Sequence, residues 1–314
     1  MKTICVLGLG YIGLPTAATL ASSGFKVIGV DINEKIISLL KNSQIHIEEP
    51  HLDELVKSII LDGHFIPSET PKKADVFIIA VPTPKTDDNS CELKYVIQAA
   101  KSIVPYLNSG NTVILESTVS PGTTEEVIKP IIEQSGLVVG KDIYLAHCPE
   151  RVLPGNIMNE IINNDRIIGG YTEICANKTM EIYKSFVKGN IILTDLKTAE
   201  MAKLVENIFR DVNIALANEL VKICDELKIN AAEVIRLANK HPRVNILKPG
   251  PGVGGHCLAI DPYYVISKTP ETARLISTAR EINCSMPEFI VSKVVQLVND
   301  IKTPKIAVFG ITYK

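Results

Sequence analysis

The sequence lacks a charge excess of either sign, a long apolar run and any closely paired cysteine motif. Its 33 Lys and Arg against 35 Asp and Glu leave a net charge of −2, so there is no bulk basic field for nucleic acid or an acidic membrane. The strongest apolar stretch, Val76–Val81, falls far short of the roughly 20 residues a membrane helix needs. No signal peptide is expected, because apolar residues begin at once and run into a glycine turn rather than a cleavage site. Seven cysteines, at positions 5, 91, 148, 175, 224, 257 and 284, form an odd and scattered set without a CxxC pair. That pattern points to neither a disulfide framework nor a zinc or other metal site. What is present is a 46% hydrophobic, 22% charged chain of 314 residues, an ordinary globular balance with room for two cores. The expectation is a soluble, cytoplasmic enzyme without nucleic-acid or membrane partners.

Residues 1–195 read as alternating strand and helix. β-rich runs stand at Thr3–Leu7, Val27–Val30, Val76–Val81, Thr112–Glu116, Ile143–Ala146 and Arg166–Gly169, mostly separated by amphipathic stretches. Such alternation predicts βαβ units and an α/β, doubly wound, mainly parallel sheet of Rossmann type. After Asp195 the pattern changes. From Lys197 to Leu227 there is no proline or glycine, and Met201, Val205, Ile208, Val212, Leu216, Leu220, Ile223 and Leu227 recur at helical spacing. One long helix is expected, of the kind that spans between domains or builds a subunit interface. Further helices at Ala231–Asn239 and Glu271–Val298, the latter broken at Pro287, would complete a helical central domain over 196–300. The tail Ile306–Gly310 echoes Ile4–Gly8, so 301–314 is expected to be the first strand of a third α/β domain, cut at its entrance.

Gly8-Leu-Gly10-Tyr-Ile-Gly13 follows a strand and opens a helix, and Asp31 closes the next strand. Gly8 permits the tight turn, Gly10 lets backbone approach a pyrophosphate, and Gly13 allows close helix–sheet packing. The helix N-terminus offers free N–H groups to the phosphates. Asp31 would accept from the adenosine ribose and repel a 2′-phosphate, favouring NAD over NADP. Thr83, in the Pro82-Thr-Pro84 break past the buried strand, stands where a loop meets the cofactor.

Pro249-Gly-Pro-Gly-Val-Gly-Gly-His-Cys257-Leu-Ala-Ile-Asp261 is the most informative stretch. Its glycines suit a backbone that wraps a ligand and leaves a thiol at its end. The other six cysteines read as buried hydrophobes; Cys257 is surrounded instead by glycines, His256 and Asp261. A nucleophilic cysteine in an oxidoreductase suggests aldehyde-level chemistry through a thiohemiacetal and thioester. Lys203 and Asn207 are i, i+4 neighbours on the long helix, opposite the apolar stripe, a position that also suits a solvated surface. Glu150, in Cys148-Pro-Glu-Arg151, and Glu116-Ser-Thr118 each follow a strand, where ligands bind such sheets or where a loop is merely capped.

With GLGYIGLPTA (8–17), VDIN (30–33), AVPTP (80–84), ESTVSPGTTE (116–125), HCPERVLPG (147–155), NDRIIGG (164–170), TAEMAKLVEN (198–207), NKHPRVNILKPGPGVGGHC (239–257) and FGITYK (309–314), the chain resembles the nucleotide-sugar 6-dehydrogenase family along its whole length. PERVLPG and HPRVNILKPGPG resemble its N-acetylmannosamine branch more than its UDP-glucose branch. The resemblance implies two successive NAD-dependent oxidations at C6 of UDP-N-acetyl-D-mannosamine for surface polysaccharide; UDP-GlcNAc or UDP-glucose is the alternative sugar. It implies Cys257 as nucleophile, and Lys203 with Asn207 as oxyanion stabilisers. Asp261 would orient Lys203 and water, Glu150 would be the base of thioester hydrolysis, and Thr118 would position that water. Gly8, Gly10, Tyr11, Ile12, Gly13, Asp31, Thr83 and Thr118 would hold NAD. Glu150, Arg151, Lys203, Asn207, Arg243 and Gly254 would hold the sugar nucleotide, with Arg243 reaching a neighbouring subunit of a homodimer built on the long helix. Where UDP-glucose members carry a second glutamate, this sequence has Pro154. Members of the family also continue past FGITYK into a UDP-holding domain, so an inactive dimeric NAD-binding fragment is the alternative to an enzyme.

Overall fold

The computed structural model describes residues 1–310. By its internal contacts the chain forms two compact units, one of Met1–Asp87 with Cys91–Lys203, the other of Leu204 onward with Asp88–Ser90. The division falls inside the long helix, rather than at its start after Asp195.

The first unit is one eight-stranded sheet. In chain order its elements are β1 (Thr3–Leu7), α1 (Gly13–Ser22), β2 (Lys26–Val30), α2 (Glu34–Lys41), α3 (Leu52–Leu61), β3 (Phe65–Ser68), β4 (Val76–Ile79), α4 (Lys94–Ile103), β5 (Thr112–Leu115), α5 (Lys129–Ile132), β6 (Tyr144–His147), α6 (Ile157–Asn163), β7 (Arg166–Gly170), α7 (Glu173–Tyr183) and β8 (Ile191–Asp195). The strand order is β3-β2-β1-β4-β5-β6-β7-β8. Every neighbouring pair is parallel except β6 with β7. Alternating side chains build two apolar layers. Ile4, Val6, Val76, Ile78 and Ile114 face one layer, and Cys5, Leu7, Phe77, Ile79, Val113 and Leu115 face the other. Strands buried on both faces read as continuous apolar runs, which is why the central ones are visible in the sequence.

The two strands not expected, β3 and β8, are the edges. β3 carries Pro67, tolerated where no further strand needs its missing N–H, and β8 is half-exposed. The chain leaves β1 for β2 and β3 on one side, then returns to β4 on the other. The strand order therefore reverses between β1 and β4, where sheets of this kind bind ligands beyond their carboxyl ends.

The second unit is helical: the greater part of α8 (Leu196–Leu227), α9 (Ala231–Ala238), α10 (Asp261–Ile266) and α11 (Arg274–Val298). Thirty-two residues make α8 a helix of roughly 48 Å at a rise of 1.5 Å per residue. Its inward face is mixed: Asn207 is 1% exposed and Asp211 and Asn218 are 0%, beside buried Leu204, Ile208, Ala217 and Cys224, whereas Val205, Phe209, Leu216, Ile223 and Leu227 are exposed. An apolar line is thus left on the outward side, which a helix packed only on its own core does not show.

Pro287 lies inside α11 and does not break it. The hydrogen bond it forfeits would have gone to the Asn283 carbonyl. Gly252 lies alongside this turn: a Cβ there would stand 3.6 Å from the Asn283 oxygen and 3.5 Å from the Pro287 ring. The strand expected at Ile306–Gly310 is not formed. Those residues are exposed and pair with no strand among the described residues, and an unpaired strand has no ladder to hold it. The remainder of that expectation, residues 311–314, lies outside the described residues. No helix among the described residues is long and apolar enough to cross a membrane.

Candidate active site

The dinucleotide loop is shaped by steric necessity. Gly8 has φ +90°, and a Cβ on it would sit 2.6 Å from the Ala80 carbonyl oxygen; one on Gly13 would sit 1.8 Å from the Gly8 oxygen. Both positions exclude every other residue. Around Gly10 a Cβ would meet nothing within 4 Å, so the backbone there is open to a close-approaching phosphate. Tyr11 is exposed, Ile12 half-buried, and Gly13 begins α1. Asp31 joins the two turns: its Oδ2 accepts from Leu9 N at 2.9 Å and its Oδ1 from Asn33 N at 2.8 Å. Asn33 in turn caps α2. A carboxylate has about four acceptor sites, so Asp31 retains capacity for ribose hydroxyls. The Thr83 hydroxyl donates to the Thr118 carbonyl at 2.6 Å, bringing those two loop residues together past β4 and β5. These features fit a dinucleotide, for which Gly10 would leave room at the pyrophosphate and Asp31 would offer an acceptor to the ribose.

The Thr118 loop is anchored by Glu200, which sequence reasoning missed. This carboxylate is buried in the first turns of α8 and accepts from Thr124 N at 2.8 Å, the Thr124 hydroxyl at 2.6 Å and Gly122 N. Lys203 lies three residues further along α8 and is half-buried. Nothing in the local spacing marks Glu200, because its partners lie more than 70 residues away.

Glu150 is buried beyond β6. Its Oε1 accepts from Arg151 N at 2.8 Å and its Oε2 from Arg166 Nη2 at 2.6 Å. The Arg151 guanidinium bonds the Asp165 carbonyl. Glu49 fixes the same loop from another direction, accepting from Gly155 N at 2.8 Å and Ile157 N at 2.6 Å at the start of α6. Burial pushes the Cys148 thiol up to about 12 and the Cys5 thiol up to about 11, which keeps both neutral and inert.

In the second unit, Cys257 is exposed and Asp261 is buried. Asp261 N donates to the Cys257 carbonyl at 2.8 Å, so the turn carrying the thiol leads directly into α10. The Asp261 carboxylate accepts from Asn207 Nδ2, and Asn207 Oδ1 accepts from Arg210. Structure thus joins Cys257, Asp261 and Asn207, and the solvated alternative does not hold for Asn207.

The glycine-rich segment before Cys257 is held by asparagines. Gly250 N donates to Asn218 Oδ1 at 2.9 Å and Leu247 N to Asn213 Oδ1 at 2.9 Å. Asn239 and Ile246 exchange two bonds, at 2.8 and 2.9 Å. Asn218 is itself locked by Asn283, which donates to Asp211, the partner of Arg280. Arg243 is exposed on the loop that these bonds position, and Gly254 is exposed ahead of the thiol. The other cysteines do not all behave as expected: Cys5, Cys148, Cys175 and Cys224 are buried, but Cys91 is half-buried and Cys284 exposed. Cys284 lies within α11, with Arg280 Nη2 3.4 Å from its sulfur.

Comparison with known proteins shows the family. Residues 2–187 match the model of the UDP-glucose/GDP-mannose dehydrogenase family, NAD binding domain, and residues 197–285 its central domain. The chain is 55% identical to a UDP-N-acetyl-D-mannosamine dehydrogenase of Methanocaldococcus jannaschii, over 100% of this chain and 72% of that relative. It is 50% identical to an NDP-N-acetyl-D-galactosaminuronic acid dehydrogenase of Ralstonia solanacearum, over 100% of this chain and 76% of that one. Among solved structures, a UDP-N-acetyl-mannosamine dehydrogenase from S. aureus superimposes with a TM-score of 0.93 at 55% identity, covering 100% of this chain and 75% of that one. The chain is a member of the UDP-glucose/GDP-mannose dehydrogenase family, with an NAD-binding domain and a central domain.

Proposed function

We propose that this chain catalyses the NAD-dependent four-electron oxidation of UDP-N-acetyl-D-mannosamine at C6 to UDP-N-acetyl-D-mannosaminuronate, in the cytoplasm, for surface polysaccharide. The observation that carries the reading is the exposed Cys257 thiol at the mouth of a turn closed by the buried Asp261–Asn207 pair. Bound NAD⁺ supplies a hydride acceptor for each of the two oxidations. Cys257 adds to the aldehyde carbon to give a thiohemiacetal, whose oxidation leaves a thioester. Lys203 and Asn207 stabilise negative charge on the substrate oxygen. Asp261 orients Lys203 and water, while Glu150 takes a proton from the water that releases the acid and Thr118 positions that water. Arg151, Arg243 and Gly254 contribute to holding the sugar nucleotide.

The Ralstonia relative, at nearly the same identity, supports a second reading in which the reaction is unchanged and the sugar is an N-acetylgalactosamine derivative. Supplying the UDP derivatives of N-acetylmannosamine, N-acetylglucosamine, N-acetylgalactosamine and glucose separately, and following NADH, decides among them. The highest kcat/KM is expected for the mannosamine derivative; preference for any other overturns the substrate assignment.

NAD⁺ is expected to bind more tightly than NADP⁺, because the Asp31 carboxylate favours ribose hydroxyls and repels a 2′-phosphate. Asp31→Ala should shrink that preference. Calorimetry giving equal affinities for the unmutated chain would remove Asp31 from the cofactor site.

The chain is also read as a homodimer formed through α8. Phe209 and Leu227, each 64% exposed, lie on one outward stripe with Val205, Leu216 and Ile223, and a stripe of that length on a globular chain marks an association surface. Light scattering is expected to give twice 34.3 kDa, and Leu216→Asp to halve it. A 34.3 kDa species at micromolar concentration contradicts this assignment.

A further inference from the structure

We propose that Arg166 and Glu116 are positioning residues for Glu150: the charge on Glu116, behind the guanidinium, decides how strongly Arg166 holds the Glu150 carboxylate and so how good a base it is. The proposal rests on the reading of Glu150 as the base of thioester hydrolysis. Arg166 opens β7 and is 4% exposed; its Nη2 lies 2.6 Å from Glu150 Oε2 and its Nη1 3.7 Å from Glu116 Oε1. Glu116 Oε1 also accepts from the Tyr183 hydroxyl of α7 at 2.5 Å, and its Oε2 from the Thr16 hydroxyl of α1 at 3.3 Å. Cys148 Sγ stands 3.6 Å from Arg166 Nη1, and the guanidinium lies 4.6 Å from the Tyr183 ring centroid. Glu116, Glu150, Cys148 and Tyr183 are thus the titratable groups around the one cation, and α1 contributes only the uncharged Thr16.

Two buried carboxylates share a single guanidinium, so one of them favours a proton. Burial pushes Glu116 up to about 7; Arg166 opposes that rise and the Glu150 charge adds to it. Below neutrality Glu116 is neutral and Arg166 serves Glu150 alone. Above neutrality the ionised Glu116 draws on the same guanidinium and places a second negative charge behind it. Arg166 then holds the Glu150 carboxylate less tightly, which leaves it freer to take a proton from water. In hydrolysis, water gives its proton to Glu150 as its oxygen bonds to the thioester carbon, and the C–S bond breaks with its electron pair on the Cys257 sulfur. Reduced NAD is not consumed, and no further oxidant is needed. The step therefore accelerates as pH rises through neutrality.

Glu116→Gln keeps the shape and fixes the neutral state, with its amide able to donate to Thr16 and its oxygen to accept from Tyr183. The rate of acid release, wild type over variant, is expected to be near unity at about pH 6 and roughly tenfold at about pH 8.5. Tyr183→Phe removes a hydrogen bond that favours ionised Glu116 and should move the rise to higher pH. Infrared difference titration reads the carboxyl without turnover: a protonated band lost near neutrality in the wild type and missing in Glu116→Gln. A ratio that is the same at every pH, or a wild type with no carboxyl titrating near neutrality, overturns the proposal. A wild type that forms no NADH from any UDP-sugar overturns the catalytic reading instead, and the infrared titration still decides the linkage.

Discussion

Cys257→Ser should bind the sugar nucleotide and NAD⁺ nearly as the wild type does, yet release almost no acid. Serine preserves the size of the side chain in the turn before α10, so the Asp261 N–H bond to the residue-257 carbonyl is unaffected. What is lost is nucleophilicity. A thiol is far more acidic and more nucleophilic than a serine hydroxyl, which is essentially un-ionised at neutral pH. An oxygen ester, once formed, would also release acid more slowly than a thioester. Quenched-flow analysis should find acid formation reduced by roughly 10³-fold or more, the scale on which removal of an activated nucleophile acts. Wild-type rates of acid formation in this variant would rule out covalent catalysis by Cys257. The same substitution at Cys148 offers a control. That thiol is fully buried and pushed up to about 12, so its replacement should affect packing and leave the covalent step intact.

The second large effect is expected at Lys203. Its place on α8 is three residues beyond Glu200, whose carboxylate clamps the loop carrying Thr118. A cation aimed at a developing oxyanion in a closed site contributes several kcal/mol, while a lysine on a solvated helix face contributes almost nothing. Lys203→Ala should therefore lower kcat by roughly 10²-fold or more, judged by the loss of single oxyanion donors elsewhere. The melting temperature should change little, since Lys203 is half-buried and not part of either apolar layer. Turnover within about threefold of wild type would return Lys203 to the solvent face.

Which of these features the sequence displays follows from the range of the forces involved. Gly8, Gly13 and Asp31 are legible because their tasks are local: a left-handed turn, a helix pressed against a strand, and an acid that ties adjacent turns. The central strands announce themselves as apolar runs because helices cover both faces. β3 and β8 do not, since edge strands tolerate Pro67 and half-exposed positions. On α8 the outward apolar line Val205, Leu216, Ile223 and Leu227 is legible from its helical spacing, but the buried polar positions are not. Its buried face carries Asn207, Asp211 and Asn218, each bonded to a partner 32 to 72 residues away. A polar residue can lie inward only when such partners exist, and no short window of sequence contains them. The Glu116–Arg166–Glu150 cluster was invisible for the same reason; the one clue was an arginine opening the otherwise apolar strand Arg166–Gly170. Pro287 is the converse case: a helix-breaking residue that α11 nevertheless contains.

One chain carries the sugar through both oxidations without releasing the aldehyde, which Cys257 captures before the second oxidation. The most direct measurement is the ratio of NADH formed to uronate released when the purified chain is given UDP-N-acetyl-D-mannosamine, NAD⁺ and an aldehyde-trapping amine. Two NADH per uronate, with no trapped aldehyde in solution, is the predicted result. One NADH per sugar with free aldehyde accumulating would contradict it.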